Sequence, residues 1–281
     1  MLTGCVAWRE RGRVGLALGG GGARGLAHIL MLEVFDELGI RPHRIAGTSI
    51  GAVIGTLYAA GLSAREIRQL VDRLTVSDDE SWLSSLFEQD IGRWWDFLDL
   101  RLGRGGLVDS NAFAAYIEET IGVTQFDQLG IPLKIVATDF WEREQVVFQH
   151  GSLRPALQAS IAIPGLFNPV QYNGRVLVDG GLVNPVPYDL LFDDCDTVVA
   201  IDVSGTRNPR SDNGPGYFET LFNTIQITSA AILGEKMKHR PPHVYIRPEL
   251  EDIRVLEFNR VDEIYQQSMA AKRKLKRSLK R

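Results

Sequence analysis

The sequence is short of cysteine, of histidine and of long apolar runs, and each shortage closes off a class of protein. Cys5 and Cys195 are its only cysteines; they are too few and too far apart for a disulfide framework or a thiolate metal cluster. They fit a reducing compartment. No apolar stretch approaches the ~20 residues that a membrane-spanning helix needs. Leu2-Thr3-Gly4-Cys5 has the look of a lipoprotein cleavage site, but without the charged and apolar regions that should precede one it reads as a chance match. None of the His, Asp and Glu residues clusters with metal-ligand spacing, so no metal and no cofactor is expected. The formal net charge of −4 gives no reason to expect nucleic-acid binding. A cytoplasmic protein is expected, with peripheral membrane contact left open.

What is present is ordinary globular material: 281 residues, 44% hydrophobic and 23% charged, enough for one large α/β domain or two small ones. An apolar strand, Arg13 to Leu18, runs into the cluster Gly19 to Gly22, and a helical pattern follows from Ala23 to Leu38 with Gly39 as its stop. Arg44 to Ala46 reads as a second strand and Ser49 to Ala60 as a helix. Ser63 with Glu66 forms a capping-box pattern, repeated by Ser77 with Glu80. Asp109 or Ser110 can cap a helix from Ala112 to Ile121. Leu133 to Thr138 reads as a buried strand, with Gln145 to Gln149 returning beside it. Leu153 to Ile161 reads as a helix, and Asn173-Gly174 as a tight turn delivering the strand Arg175 to Val178.

Thr197 to Val203 reads as a further central strand and Arg207 to Gly216 as a loop. A long helix from Phe218 to Lys238, a strand Val244 to Ile246 and a helix from Val261 follow. Short apolar strands alternating with helices imply a mostly parallel sheet covered on both faces. The expected organisation is a core domain over 13–205, carrying an aromatic-rich insertion at about 77–107. An extension over 206–281 packs on the same domain and ends in a basic tail at 272–281.

Three motifs carry possible chemistry. Gly47-Thr48-Ser49-Ile50-Gly51 lies between a strand and a helix. A serine there takes strained backbone angles, its flanking glycines remove colliding side chains, and its hydroxyl meets the helix N-terminus. It reads as a nucleophile or, equally, as a capping serine in a glycine-rich turn. The second motif, Gly19-Gly20-Gly21-Gly22-Ala23-Arg24-Gly25, can aim several backbone N–H groups at one point. Gly20, Gly22 and Gly25 match dinucleotide-binding spacing, but no acidic residue ends the next strand and no Gly-Lys-Ser/Thr follows. An oxyanion hole fits better. The third motif, Asp179-Gly180-Gly181, ends a strand before Asn184-Pro185-Val186-Pro187; Asp179 is a candidate base or a plain turn residue.

A triad would need a histidine after Asp179. Only His239 and His243 follow, in a stretch that looks like a surface connection, while His28 lies on the first helix and His43 and His150 sit in turns. A Ser–Asp pair without histidine therefore has to be considered.

Together the motifs resemble the patatin-like phospholipase family, particularly its bacterial members. The likeness is collinear from about Arg13 to Ser204. It includes Ala137-Thr138-Asp139 and Ser160-Ile161-Ala162-Ile163-Pro164-Gly165 with Phe167 and Pro169. The resemblance implies a three-layer α/β/α fold and a dyad of Ser49 as nucleophile with Asp179 as base. It also implies an oxyanion hole from the backbone of Gly20, Gly21 and Gly22 with Arg24 nearby, and elbow and dyad-loop glycines at Gly47, Gly51, Gly180 and Gly181. The substrate would be a phospholipid, lysophospholipid or other fatty-acyl ester, cut without metal or cofactor. A non-catalytic binding or regulatory protein on the same fold is the alternative, which intact Ser49 and Asp179 oppose.

The segment Ser77 to Gly106 and everything after about Arg207 match nothing in that pattern. The aromatic stretch with Trp82, Trp94 and Trp95 reads as a packed helical insertion or as a lid over an acyl channel. The basic tail, with Lys272, Arg273, Lys274, Lys276, Arg277, Lys280 and Arg281, reads as a frayed, solvated helix end. The other reading is a patch that attracts anionic lipid headgroups.

Overall fold

A computed structural model describes residues 12–76, 110–206 and 217–280. The Ser77/Glu80 pattern, the insertion with Trp82, Trp94 and Trp95, the loop 207–216 and Cys5 lie outside the described residues. The strands are β1 (Val14–Leu18), β2 (Arg44–Thr48), β3 (Leu133–Asp139), β4 (Gln145–Phe148), β5 (Val170–Tyr172), β6 (Arg175–Asp179), β7 (Thr197–Ile201) and β8 (Val244–Ile246). The helices are α1 (Ala27–Leu38), α2 (Ile50–Ala59), α3 (Ala64–Val76), α4 (Asn111–Ile121), α5 (Leu153–Ser160), α6 (Tyr217–His239) and α7 (Val261–Lys280).

All eight strands join one sheet in the order β5-β6-β3-β2-β1-β7-β8, with β4 also on β3. The pairs β1–β2, β1–β7, β2–β3 and β7–β8 are parallel, while β3–β4, β3–β6 and β5–β6 are antiparallel. The parallel half is buried on both sides: every residue of β1 is buried, with Val, Leu and Ala in place of an in/out polar alternation. Its two faces still differ. Leu16, Leu18, Ile45, Val199 and Ile201 belong to the larger core cluster, which α1, α2, α5 and α7 share. Ala17, Ala46, Val198 and Ala200 belong to the other, with Tyr188, Leu191 and Leu233. The second outer layer thus consists of turns around 188–191 and the long helix α6.

Two of the differences from the sequence-level expectations bear on the helices. The helix expected from Ala23 begins instead with a 3-10 turn, Gly22–Leu26, before α1 proper. The cause lies in the loop: Gly22 sits at φ 58 and the Ala23 N–H is taken by Val255 O at 2.8 Å. The basic tail is not frayed. α7 is helical to Lys280 and buries Ile264, Tyr265, Ser268, Ala271, Leu275 and Leu279, the 3–4 spacing of an apolar stripe. Lys272 bonds Glu33 at 2.6 Å and Glu37 at 2.8 Å, and Lys276 bonds Glu37 at 2.6 Å, so two of the tail's cations are engaged by α1. Other local signals hold: Ser63 and Glu66 cap α3 reciprocally, and Asn173 (φ 49) with Gly174 (φ 77) turns β5 into β6.

The register of β3 decides where the site forms. Val136 pairs with Thr48 of β2, and the next residue, Ala137, pairs with Asp179 of β6. β4 pairs with Ile135 to Thr138, and a strand has only two edges. β2 and β6 must therefore share the other edge, running toward each other. The ends of these two strands meet, with Ser49 one residue past one and Asp179 at the tip of the other.

Candidate active site

Ser49 sits at φ 55 and ψ −127, at the N-cap of α2. Such angles strain any residue other than glycine, and the surroundings hold it there. Gly51 is required, because a Cβ at that position would collide with the carbonyl oxygen of Leu18. Gly47, paired with Leu18 and Ile135 inside the sheet, would bring a Cβ to 2.6 Å from Ala52 Cα. The elbow is thus pressed between β1 and its own helix.

A buried serine missed as a functional residue supports it from below. The backbone N–H of Ser49 donates to Ser160 Oγ at 2.9 Å, and Ser160 Oγ donates to Val136 O at 2.7 Å. Ser160 is fully buried at the end of α5. Its sequence signal was a polar residue on the apolar stripe of Leu153, Ala156 and Leu157. Ser160→Ala would strand both partners in a dry site, so a loss of about 2–3 kcal/mol is expected in denaturant unfolding. Any hydrolytic turnover should fall in kcat with KM little changed, because Ser160 positions the elbow and touches no ligand space.

Asp179 ends β6 opposite Ser49. Its Oδ1 accepts from Gly181 N at 2.7 Å, and its Oδ2 is buried without an aligned hydrogen bond. Burial pushes its pKa up to about 6, against the opposing pull of the Ser49 hydroxyl and the Gly181 N–H. The serine hydroxyl is therefore its electrostatic neighbour, although the two do not form a well-aligned bond at rest; such contacts often tighten only with substrate bound. Gly180 lies so close to β3 that a Cβ would strike Val136 O. The loop beyond it is tied down on three sides. Thr48 Oγ1 donates to Asn184 O at 2.8 Å, Gly20 N to Pro185 O at 3.0 Å, and Ser229 Oγ to Gly181 O at 2.9 Å. Lys236 of α6 donates to Asn184 Oδ1, Val186 O and Asp189 Oδ1.

The glycine loop needs one revision. Gly19 and Gly20 commit their N–H groups to Ile201 O and Pro185 O, both at 3.0 Å. That removes Gly20 from the expected donors, and leaves Gly21 and Gly22 lining the cleft with N–H groups that bond nothing among the described residues. Arg24 is also reassigned. Its guanidinium donates to Gly21 O and Ser204 O, bracing the loop from behind.

Ser49, Asp179, Gly20, Gly21, Gly22 and Gly181 line one cleft of about 730 Å³ including its open mouth. Its apolar wall comes from Ile163, Leu182, Phe222, Ile225, Leu233 and Val255. A second carboxylate, Asp202, also reaches it, but its oxygens are engaged by Ser204 N and Tyr245 OH. Among the described residues no histidine lines the cleft. His28 is wholly buried beneath the glycine loop. Its Nε2 lies 2.8 Å from Gly19 O, a pure acceptor, so Nε2 carries the proton, and burial lowers its pKa to about 4. His243 accepts from Val198 N at 2.9 Å, a structural role. Among the described residues no group of His, Cys, Asp and Glu could hold a metal ion.

A strained serine between strand and helix, beside a loop with unbonded N–H groups, places the chain among α/β folds with a sharp strand-to-helix elbow. More particularly, the chain belongs to the patatin-like phospholipase family, whose model matches residues 16–192. An uncharacterized NTE family protein of Mycobacterium bovis is 35% identical over 232 residues, covering 80% of this chain and 60% of the relative. Lysophospholipase NTE1 of Saccharomyces cerevisiae is 29% identical over 276 residues, 90% of this chain but 16% of the yeast protein. The chain therefore spans only part of the length of these curated relatives. Among solved structures, VipD from Legionella pneumophila superposes with a TM-score of 0.50 at 14% identity, covering 94% of this chain and 67% of that one. At that identity the likeness is one of fold.

Proposed function

We propose that the protein is a lipid acyl hydrolase, of phospholipase A or lysophospholipase type, working through Ser49 and Asp179. The observation that carries this is the meeting of β2 and β6 on one edge of β3, which sets a strained serine against a buried carboxylate. Family membership and similarity to a lysophospholipase support the lipid ester as substrate.

In the proposed reaction Ser49 Oγ attacks the ester carbonyl while its proton passes to Asp179. The carbonyl electrons move onto oxygen, which the Gly21 and Gly22 N–H groups and the N-terminus of α2 receive. Collapse of the tetrahedral intermediate expels the alcohol, which takes the proton from Asp179. Water, deprotonated by the same carboxylate, then releases the fatty acid and restores the serine. A carboxylate in water, with pKa near 3.9, is a feeble base for an alcohol. Burial that lifts Asp179 to about 6 narrows that gap without leaving it protonated at neutral pH.

Fluorophosphonate labelling tests the nucleophile directly. Wild type should label and Ser49→Ala should not; labelling that survives the substitution would discard this reading. No lysine or arginine lines the cleft among the described residues, and the oxygens of Asp202 are already taken by Ser204 N and Tyr245 OH, which disfavours a dinucleotide at Gly20, Gly22 and Gly25. No helix among the described residues is long and apolar enough to cross a membrane. With Lys272 and Lys276 paired to α1, attraction of anionic headgroups by the tail would fall to Arg273, Lys274 and Arg277, which are exposed on α7.

A further inference from the structure

Large apolar side chains are rarely exposed in the described structure: Phe140 (47%), Trp141 (70%), Ile227 and Met269 are the instances. The first two are neighbours at the tip of the β3–β4 hairpin, with ring centroids 4.9 Å apart in an edge-on arrangement. Nothing about this tip is loose. Asp139, itself buried, accepts from Trp141 N at 3.1 Å and Glu142 N at 3.0 Å. Phe140 N donates to Val176 O at 2.8 Å, Arg143 N to Asp139 O at 2.9 Å, and Arg143 turns the chain at φ 60. Arg175 at the start of β6 pairs with Asp139 at 3.6 Å and Glu144 at 3.1 Å, tying the hairpin to its neighbour. A buried carboxylate thus builds a rigid turn whose product is two aromatic rings held in water.

The position of that turn gives it meaning. β1, β2 and β3 run parallel, so their C-terminal ends share the edge of the sheet where the glycine loop, Ser49 and the cleft lie. Ala137 stands level with Asp179, and Phe140 follows three residues later. At the rise of a β-strand the rings stand roughly 10 Å beyond the level of the catalytic pair. We propose that Phe140 and Trp141 are an interfacial anchor, which inserts into the surface of aggregated lipid and holds the cleft against it. The inference rests on the acyl-hydrolase reading for its purpose, and on the hairpin alone for its geometry. Tryptophan suits the boundary between headgroups and acyl chains because its ring is apolar and its N–H is polar. The charges of the turn nearly balance, with Glu142 beside Arg143 and Glu144 paired to Arg175. The attraction is therefore apolar burial, which salt does not screen.

The test uses the full chain and vesicles of phosphatidylcholine, measured by co-sedimentation at low and high salt. Phe140→Ala/Trp141→Ala should weaken vesicle binding by about tenfold or more at both salt levels. Hydrolysis of a short-chain ester below its critical micelle concentration should stay within about twofold of wild type. Vesicles made with brominated phosphatidylcholine should quench wild-type fluorescence, and Trp141→Phe should lose part of that quenching. Vesicle binding unchanged in the double variant would overturn the anchor. So would a concentration-dependent dimer that the double variant abolishes, which would make the tip a contact between copies. A wild type that binds vesicles through the tip but cleaves no ester would leave the anchor standing and sink the hydrolase reading instead.

Discussion

Asp179→Asn is expected to abolish most activity and to make the protein more stable at neutral pH. Without the proposed base, kcat/KM for an ester should fall by about 10³-fold or more. The gain in stability follows from the same burial. Asp179 holds its proton more tightly folded, with a pKa of about 6, than unfolded, where a value near 3.9 applies. Ionising it therefore opposes folding. The penalty is absent below about pH 4, grows between pH 4 and 6, and is constant above. A carboxyl raised that far loses roughly 3 kcal/mol of stability at pH 7. Asparagine keeps an oxygen for the Gly181 N–H and avoids the charge, so its advantage in Tm should be full at pH 7.5 and vanish near pH 4. A variant no more stable than wild type at pH 7.5 would show that Asp179 is better solvated than its burial implies. The wild-type rate should carry the matching signature: kcat/KM falling about tenfold per pH unit below pH 6 and level above it.

The second large effect is at Ser49. Its φ of 55 is uncomfortable for any residue with a Cβ, and strain of this kind costs about 1–3 kcal/mol. Ser49→Ala and Ser49→Gly should both lose activity to the limit of detection, as removal of a nucleophile does. They should separate in stability. Ala keeps the strain, while Gly relieves it at an entropic cost of about 0.5–1 kcal/mol in the unfolded chain. Ser49→Gly should therefore unfold at a higher temperature than Ser49→Ala. If the alanine variant is the more stable, the elbow is not strained in the way its angles indicate.

Much of this was legible in the residues because glycine and proline mark places where backbones crowd. The elbow at Ser49, the loop at 19–22 and the turn at Asn173-Gly174 each announce a backbone shape that few other residues accept. The periodic strands fell out of apolar runs, although β2 continued past Gly47, which interrupts the strand signal and is held by pairing with β1 and β3. Hydrogen-bond ownership could not be read. Whether Gly20 or Gly21 keeps an unbonded N–H depends on Pro185, far downstream, and the place of Arg24 depends on Ser204. Ser160 was visible as a word in a motif but not as the acceptor beneath Ser49. The basic tail misled because the count of charges is local, whereas Glu33 and Glu37, which neutralise two of them, lie on the first helix.

The shared edge of β3 has a consequence for how such a site can change over time. Thr48 and Asp179 are measured off consecutive residues of a single strand, so one ruler sets the gap between Ser49 and Asp179. Half of the large apolar side chains of the cleft's wall come from another element, with Phe222, Ile225 and Leu233 all on α6. On the proposed reading, much of the fit is thus encoded apart from the chemistry. A graft that replaces the face of α6 should alter which acyl chains are accepted while leaving the reacting atoms in register, whereas a single-residue insertion in β3 should destroy both strands' alignment at once.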